Sequence, residues 1–240
     1  MIQPHHRVTL QPAFILHGRD FRDTSRLLDV FTQDYGRVSL VAKGARSSRS
    51  KLHGLLQPFT PLIISWSGKG EVQTLTGAES KKNTIQILGK SVMSAYYMNE
   101  LVQRLVTQHD PHPELFELYQ HTLSYFSTDD DELVLRRFEK NLLNDIGYGL
   151  NLALDASTNE PIQAKNIYYY DIEKGPININ NILDTEVLKL SGQTLIDLEN
   201  EQFTTVQSKK EAKQLMRIIL SYHLGDKPLK TRNLQWYKTL

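Results

Sequence analysis

The residues best suited to chemistry in this chain of 240 residues are cations, and they are concentrated in one short stretch. No Asp or Glu lies between Gly36 and Gly70, although the whole chain has a net charge of only +1. The cations of this stretch are Arg37, Lys43, Arg46, Arg49, Lys51 and Lys69. Lys and Arg side chains in a loop bind phosphates because they release condensed counterions. The stretch therefore predicts a phosphate-binding loop, although composition alone leaves a merely solvated surface loop equally open.

Aromatic residues are interleaved with these cations. Tyr35 and Trp66 flank predicted turns, where their rings can stack on nucleobases. Phe31 and Phe59 lie in apolar surroundings, which predicts that they belong to a core.

Catalytic constellations are missing from the sequence. There are no cysteines, which excludes disulfides, thiolate nucleophiles and Cys-built zinc sites. The segment Ser67–Gly70 resembles a phosphate loop, but the spacer and the following Ser or Thr are missing. The segment 109–112 is explained by a helix break, and the acidic run 129–132 by the first turn of a helix. We therefore predict a protein that is not an enzyme and needs no metal or cofactor.

The elements that must position the cations change in character along the chain. Short runs of strand-forming residues fill the first third, and turn residues separate them. These runs cover residues 13–17, 25–31, 36–42, 61–66 and 71–75. Five short strands with little helical pattern between them predict a small antiparallel barrel.

Helical periodicity begins near residue 85. Helices are predicted over 85–108 and 113–126, and a third is expected to open at a capping box of Asp129 and Glu132 and to form a bundle with them. Residues 148–185 show no convincing period. A further helix is predicted from a capping box of Ser208 and Glu211 to a stop at Gly225. A basic tail follows, with Lys227, Lys230, Arg232 and Lys238.

Neither the N-terminal residues nor the rest of the chain shows a targeting or spanning segment. The first residues lack the apolar centre of a signal peptide, and no run of about eighteen apolar residues occurs. We expect a soluble cytoplasmic protein.

Several segments taken together resemble one known family. They are Phe14–His17, Thr24–Thr32, Gly36–Arg46, Leu56–Pro61, Leu135–Glu139, Leu143–Gly149 and Leu224–Arg232. Their order and spacing are similar to those of the recombination mediator family RecO, from about residue 12 to residue 234. The combination of Ala42–Arg46 with Gln57–Phe59 is the most specific part of the match.

The resemblance implies an α+β fold in four parts. Residues 1–80 would form an OB-fold that binds DNA, and residues 81–149 a helical domain that the helix at about 207–224 continues. Residues 150–206 would correspond to the zinc module of some members, and residues 225–240 to a basic tail. Where those members carry the first cysteine, this chain has Asp155, so its module must be metal-free and held by packing alone.

The resemblance also implies partners and a function. RecO-like proteins bind single- and double-stranded DNA, anneal complementary strands and associate with RecR. They also bind the C-terminal tail of the single-stranded-DNA-binding protein SSB and help to load RecA at gaps during recombinational repair; the resemblance leaves open whether RecF is needed. Arg136 would receive the tail's terminal carboxylate, and Lys227, Lys230 and Arg232 would form an auxiliary DNA surface. Three alternatives remain: a scaffold that contacts only SSB and RecR, an RNA-binding OB protein, and, least favoured, a nuclease.

Overall fold

The computed structural model describes residues 7–81, 85–126, 130–179 and 188–233. Its strands are β1 (Arg7–Phe21), β2 (Ser25–Thr32), β3 (Gly36–Ala42), β4 (Leu62–Ser67), β5 (Val72–Ser80), β6 (Ile167–Asp171), β7 (Gly175–Asn178) and β8 (Lys189–Ser191). Its helices are α1 (Ser91–Leu105), α2 (Pro113–Tyr125), α3 (Asp131–Asp145), α4 (Gly192–Glu199), α5 (Val206–Leu224) and α6 (Lys230–Asn233). The chain forms two compact units, one of residues 1–127 with 229–240 and one of residues 128–228.

The first unit is built on a closed barrel in the order β1-β2-β3-β5-β4. All of its strand pairs are antiparallel except β3 with β5. Buried residues alternate along β4, where Leu62, Ile64 and Trp66 point into the core, as expected for a sheet with one buried face. Long strand β1 closes the barrel because its first half pairs with β4 and its second half with β2. The predicted small barrel of OB type is confirmed, with β3 and β5 as its parallel pair.

The two ends of the barrel are distinguished by strand direction. Strands β1 and β3 run towards one end, where the β1–β2 hairpin and the long β3–β4 connection lie; we call it the loop end. Strands β2 and β4 run towards the other, where the β2–β3 and β4–β5 turns lie; we call it the turn end. This geometry decides which of the cations can act together.

Helices α1 and α2 cover part of the outer face of β1 and β2. Phe31 of β2 packs with Phe116 and Tyr119 of α2, at ring-centroid distances of 5.4 and 5.9 Å. The Tyr119 hydroxyl donates to the side chain of Asn99, which in turn donates to the carbonyl of Leu16 on β1. Burial raises the pKa of the Tyr119 phenol well above its usual range, so the hydroxyl stays protonated. Phe31 is therefore core, as predicted.

The segment after α1 approaches the β2–β3 turn closely. Gly36 has φ +62°, and a Cβ at this position would lie 2.0 Å from the carbonyl oxygen of Asp110. Only glycine fits there, because both the positive φ and the close approach exclude a side chain. The Asp34–Gly36 turn thus docks residues 108–112 against the barrel.

The second unit combines α3, α4 and α5 with a three-stranded sheet in the order β7-β6-β8. Helix α5 packs against both α3 and α4. Ion pairs on the surface also join α3 to α5: Lys209 meets Asp130, and Lys213 meets Glu132. Strands β6 and β7 of this sheet lie within residues 148–185, where no convincing period was found in the sequence.

Helix starts differ in detail from the sequence-based prediction. Helix α1 begins at Ser91, six residues later than expected. Helix α5 is capped by Thr205 in a reciprocal pair with Ser208, so the predicted capping box of Ser208 and Glu211 is wrong. The carboxylate of Glu211 instead accepts hydrogen bonds from Ser191 and Thr194. Asp129 lies outside the described residues, and Asp130 caps α3.

The division into units also differs from the expected domain plan. Helices α1 and α2 belong to the unit of the barrel, whereas α3 belongs to the second unit with the sheet and α5. The three helices expected to form one bundle are therefore shared between two units.

None of the helices in the described part of the chain combines the length and the apolar character that a membrane span requires.

Candidate nucleic-acid interface

The β3–β4 connection, residues 43–61, is a chain of consecutive turns anchored in the barrel. Backbone hydrogen bonds join residues 47 to 44, 50 to 47 and 53 to 50. Ala45 and Leu56 are buried in the barrel core, and Leu52 and Leu55 pack against it. Because its apolar residues point inward, the connection directs its cations outward.

Three of the predicted phosphate ligands lie exposed on this connection: Lys43, Arg49 and Lys51. Within the described ranges, none of the three lies within ion-pair distance of a carboxylate. Their charge is therefore available to a phosphate backbone, which is the arrangement that counterion release requires.

Arg46 has a different role from its three neighbours. Its Nη1 donates to the carbonyl oxygens of Asp23 at 3.1 Å and Arg22 at 3.4 Å, and its Nη2 lies 3.3 Å from the carboxylate of Asp20. Its backbone N–H also donates to the carbonyl of Thr24. Arg46 therefore ties the β3–β4 connection to the β1–β2 hairpin, although its side chain stays 41% exposed.

The β1–β2 hairpin brings a further cation to the loop end that the sequence reasoning missed. Arg22 is exposed, has φ +52°, and places its guanidinium 5.2 Å from the centroid of the Phe21 ring. The sequence reasoning looked for stretches of positive charge without acids, and it missed Arg22 because Asp20 and Asp23 lie on either side of it. The contact between Arg46 and the hairpin brings Arg22 beside the β3–β4 connection.

Arg37 is a structural cation, which corrects the prediction that it widens the phosphate-binding patch. Its guanidinium meets the carboxylate of Asp29 at 2.6 Å and donates to the carbonyl of Val106 at 2.6 Å. Gln103 donates to the same carboxylate at 2.9 Å. The Arg37 side chain is only 10% exposed, so its charge is neutralised within the unit.

The predicted stacking residues lie at the turn end and face each other. Trp66 is buried in the barrel core, so its prediction as a surface stacking residue is wrong. Tyr35 is half-buried and packs edge-on against Trp66, with ring centroids 5.4 Å apart. Their positions beside turns predicted exposure. Side chains alternate between the two faces along β4, however, and this alternation points Trp66 into the barrel core.

Lys69 is exposed, but it lies in the β4–β5 turn, at the turn end of the barrel. The outer face of β2 and β3 between the two ends is where OB-folds commonly bind oligonucleotides. Here contacts of Asp29, Phe31 and Arg37 with α1, α2 and the segment after α1 occupy part of that face. Lys69 is thus not part of the cluster on the β3–β4 connection.

The auxiliary cations are divided between the two units. Lys227 is exposed in the second unit, whereas Lys230 is exposed in the first. Glu100 of α1 accepts hydrogen bonds from the backbone N–H groups of Lys230 and Thr231, which fixes the start of α6. The side chain of Arg232 lies outside the described residues.

Arg136, expected to receive a peptide carboxylate, is buried on α3. Its Nη2 donates to the carboxylate of Glu139 at 2.5 Å, and its side chain is 7% exposed. A buried arginine that already has a carboxylate partner is not presented to a ligand in this arrangement.

Asp155, expected to stand where a zinc-binding relative would carry a cysteine, is a hydrogen-bonded carboxylate in this structure. One of its oxygens accepts from the N–H and hydroxyl of Ser157 at 2.8 and 2.6 Å, and the other from the N–H of Asn178 at 3.2 Å. Burial alone would raise the pKa of Asp155, but these hydrogen bonds outweigh it and lower the pKa below the ordinary value. Among the described residues, no group of three His, Asp or Glu side chains is arranged to hold a metal ion.

The barrel and the sites described above define a class: a two-unit protein with an OB-type barrel and a cluster of exposed cations on its β3–β4 connection. Comparison with known proteins then gives the family. The family described as "Recombination protein O N terminal" matches residues 7–84, and "Recombination protein O C terminal" matches residues 89–233.

Curated relatives agree along nearly the whole chain. The chain is 46% identical to "DNA repair protein RecO" of Nitrosococcus oceani, over 95% of this chain and 93% of the relative. It is 44% identical to the protein of the same description from Nitrosospira multiformis, over 95% of both chains. The chain belongs to the RecO family of DNA repair proteins.

Proposed function

We propose that this chain is a non-enzymatic recombination mediator that binds single- and double-stranded DNA and anneals complementary strands. The observation that carries the proposal is the loop end of the barrel, where exposed Lys43, Arg49 and Lys51 lack carboxylate partners among the described residues. Phosphate contacts of this kind position a strand without reading its sequence. Annealing then has a physical basis, because the cations screen two backbones while the bases remain free to pair.

The first experiment is a salt titration of binding to a fluorescent single-stranded oligonucleotide. The wild type is compared with a variant that combines Lys43→Ala, Arg49→Ala and Lys51→Ala. Each lost phosphate contact reduces the slope of log affinity against log salt by about 0.7, so we expect the slope to fall by roughly 2.

Lys69→Ala is the matched control, because it removes an exposed lysine of the same barrel at the turn end. The proposal predicts an almost unchanged slope for this variant. A steep slope that depends on Lys69 and not on the triple variant would move the DNA to the other end. A shallow slope that no variant changes would instead favour a scaffold for SSB and RecR, and stronger binding of an RNA competitor would favour an RNA-binding protein.

The partners proposed for this mediator are DNA, the SSB tail and RecR, with RecA as an indirect partner and the need for RecF left open, in a cytoplasmic, nucleoid-associated process. Support for them comes from membership of the RecO family. Together with RecR, the chain would help to load RecA onto gaps covered by SSB.

The proposed role of Arg136 towards the SSB tail requires that Glu139 release it. Two variants separate the roles in a titration with a labelled tail peptide. If Arg136 donates to the peptide carboxylate, Glu139→Gln should strengthen binding because it frees the guanidinium, and Arg136→Ala should weaken it. Equal affinities in the wild type and both variants would remove Arg136 from the proposal.

A further inference from the structure

A cavity of about 240 Å³ opens in the second unit. The segment after α3, the β6–β7 turn and the last turns of α5 form its walls. Its lining includes Tyr148, Tyr170, Lys174, Ile219 and His223. Nothing in the proposed function uses this cavity.

Two half-exposed aromatic rings contact His223: Tyr148, which lines the cavity, and Tyr222, which precedes His223 on α5. Tyr148 is 52% exposed and Tyr222 is 55% exposed. The ring of Tyr148 lies over that of His223 at a centroid distance of 4.2 Å and an interplanar angle of 30°, and Tyr222 meets His223 edge-on at 5.3 Å. The three rings form a cluster with an exposed aromatic surface, which is the kind of surface that marks an interaction site.

The backbone around the cluster is tightly fixed. The N–H of Tyr148 donates to the carbonyl of Leu143 at 2.7 Å. Gly175 has φ +106°, and a Cβ there would lie 2.8 Å from Nδ2 of Asn151, so only glycine allows this approach of the two walls. The backbone that carries Tyr148 is therefore fixed before any ligand arrives, which reduces the cost of ordering this segment on binding.

The chemistry of the walls favours a nucleobase over an apolar peptide side chain. Asn151, Glu173 and Lys174 contribute polar groups to the lining, whereas an apolar peptide helix needs a hydrophobic groove. A nucleobase brings both a π-face for the rings and polar edges for hydrogen bonds. Lys174 supplies positive charge for the attached phosphate.

We propose that Tyr148, His223 and Tyr222 form a base-stacking site for single-stranded nucleic acid in the second unit. The site rests on the proposed function, because it assumes that the chain binds DNA, and it adds a contact to bases that the cations of the barrel do not supply. Burial of His223 lowers its pKa, which keeps the imidazole neutral near neutral pH and suits it to support a ring stack.

The test compares two oligomers of equal length, oligothymidine and an abasic strand that retains only the sugar-phosphate backbone. Binding to the full chain is measured by fluorescence anisotropy. Tyr148→Ala is expected to weaken binding of oligothymidine by about tenfold and to leave binding of the abasic strand unchanged. Tyr148→Phe, which keeps the ring, should bind both oligomers like the wild type.

Tyr125→Ala provides a matched control, because Tyr125 is a 48% exposed tyrosine of the first unit. Tyr222→Ala gives a second variant if Tyr148→Ala does not fold, as judged by circular dichroism. The proposal is overturned if Tyr148→Ala and Tyr222→Ala bind oligothymidine like the wild type, or if both oligomers weaken equally. The labelled SSB tail peptide is titrated with the same variants. The proposal is also overturned if Tyr148→Ala and Tyr222→Ala lose affinity for this peptide and keep wild-type affinity for both oligomers.

Failure of this site and failure of the proposed function give different results. If the wild type binds both oligomers with a steep salt dependence and the tyrosine variants change nothing, only the stacking site is wrong. If the wild type binds neither oligomer, both proposals are wrong.

Discussion

The two ends of the barrel carry similar residues but use them in different ways. At the loop end, Lys43, Arg49 and Lys51 extend into solvent from a connection whose apolar residues are buried. At the turn end, Arg37 is neutralised by Asp29, and Trp66 is part of the core. A cation or an aromatic ring can bind a ligand only where it is exposed and has no partner within the fold. Strand direction and register determine which side chains meet this condition.

The largest effect should come from the aromatic residue of the turn end. Trp66→Ala removes a side chain that is 1% exposed, so we expect a loss of about 3–5 kcal/mol in the free energy of unfolding. Urea denaturation followed by circular dichroism measures this loss. If the variant kept its stability and lost DNA affinity instead, Trp66 would be a stacking residue after all.

Arg37→Ala should be the next most disruptive change. It removes one partner of a mostly buried ion pair and leaves Asp29 with Gln103 alone, so we expect a loss of about 3 kcal/mol. Lys69→Ala makes the same change in charge at the same end of the barrel, but on an exposed side chain, and should stay within about 0.5 kcal/mol of the wild type. Equal stability of the two variants would contradict the distinction between structural and available cations.

In the second unit, the carboxylate of Asp155 links separate segments of the chain by accepting hydrogen bonds from Ser157 and Asn178. It thus has a structural role like that of Arg37, whose guanidinium links β3 to Asp29 of β2. Asp155→Ala should cost roughly 1–3 kcal/mol, because it leaves the N–H groups of Ser157 and Asn178 without their acceptor. Asp155→Asn is the control, because it keeps a side-chain oxygen but cannot ionise.

The same carboxylate predicts acid sensitivity. Folding lowers the pKa of Asp155, so its contribution to stability is complete above the unfolded value of about 3.9 and is lost as the pH falls through the lower folded value. The pKa values of Asp197 and Glu211 in the same unit are also lowered: burial would raise them, but hydrogen bonds outweigh it. We therefore expect the near-UV circular dichroism signal of the aromatic side chains to decrease below about pH 4, as the packing of the second unit loosens. A signal that is constant down to pH values well below this would contradict the prediction.

The smallest effect distinguishes two neighbouring arginines of the β3–β4 connection. Arg46→Ala removes hydrogen bonds to the β1–β2 hairpin and should cost about 1 kcal/mol of stability. Arg49→Ala removes the same charge from an exposed position and should change the stability by only a few tenths of a kcal/mol. If the two variants were equally stable, Arg46 would not anchor the connection.

The barrel could be predicted because its strands show a local period and are separated by turn residues. The strands predicted at 25–31 and 36–42 coincide with β2 and β3 almost residue for residue. Only part of β1 was predicted, since its first half is interrupted by a bulge at which Leu10 has φ +55°. The sheet of the second unit was missed because β7 and β8 are only four and three residues long and take their stability from β6.

The candidate site could be predicted only in part, for a related reason. The sequence indicates that cations are clustered, but Arg37 and Lys69 are separated from the rest by pairings between distant residues. Arg22 reaches the same surface only through the contact of the hairpin with Arg46. The ring cluster brings together Tyr148 and His223, which are far apart in sequence, so no local sequence pattern predicts it.

The most direct test of the central claim is amide hydrogen exchange with and without a single-stranded oligonucleotide, because one measurement compares both ends of the barrel. We expect added protection at residues 43–56 and at the β1–β2 hairpin, and no change in the β4–β5 turn around Lys69. Protection confined to the β2–β3 and β4–β5 turns, with an unchanged β3–β4 connection, would contradict the account.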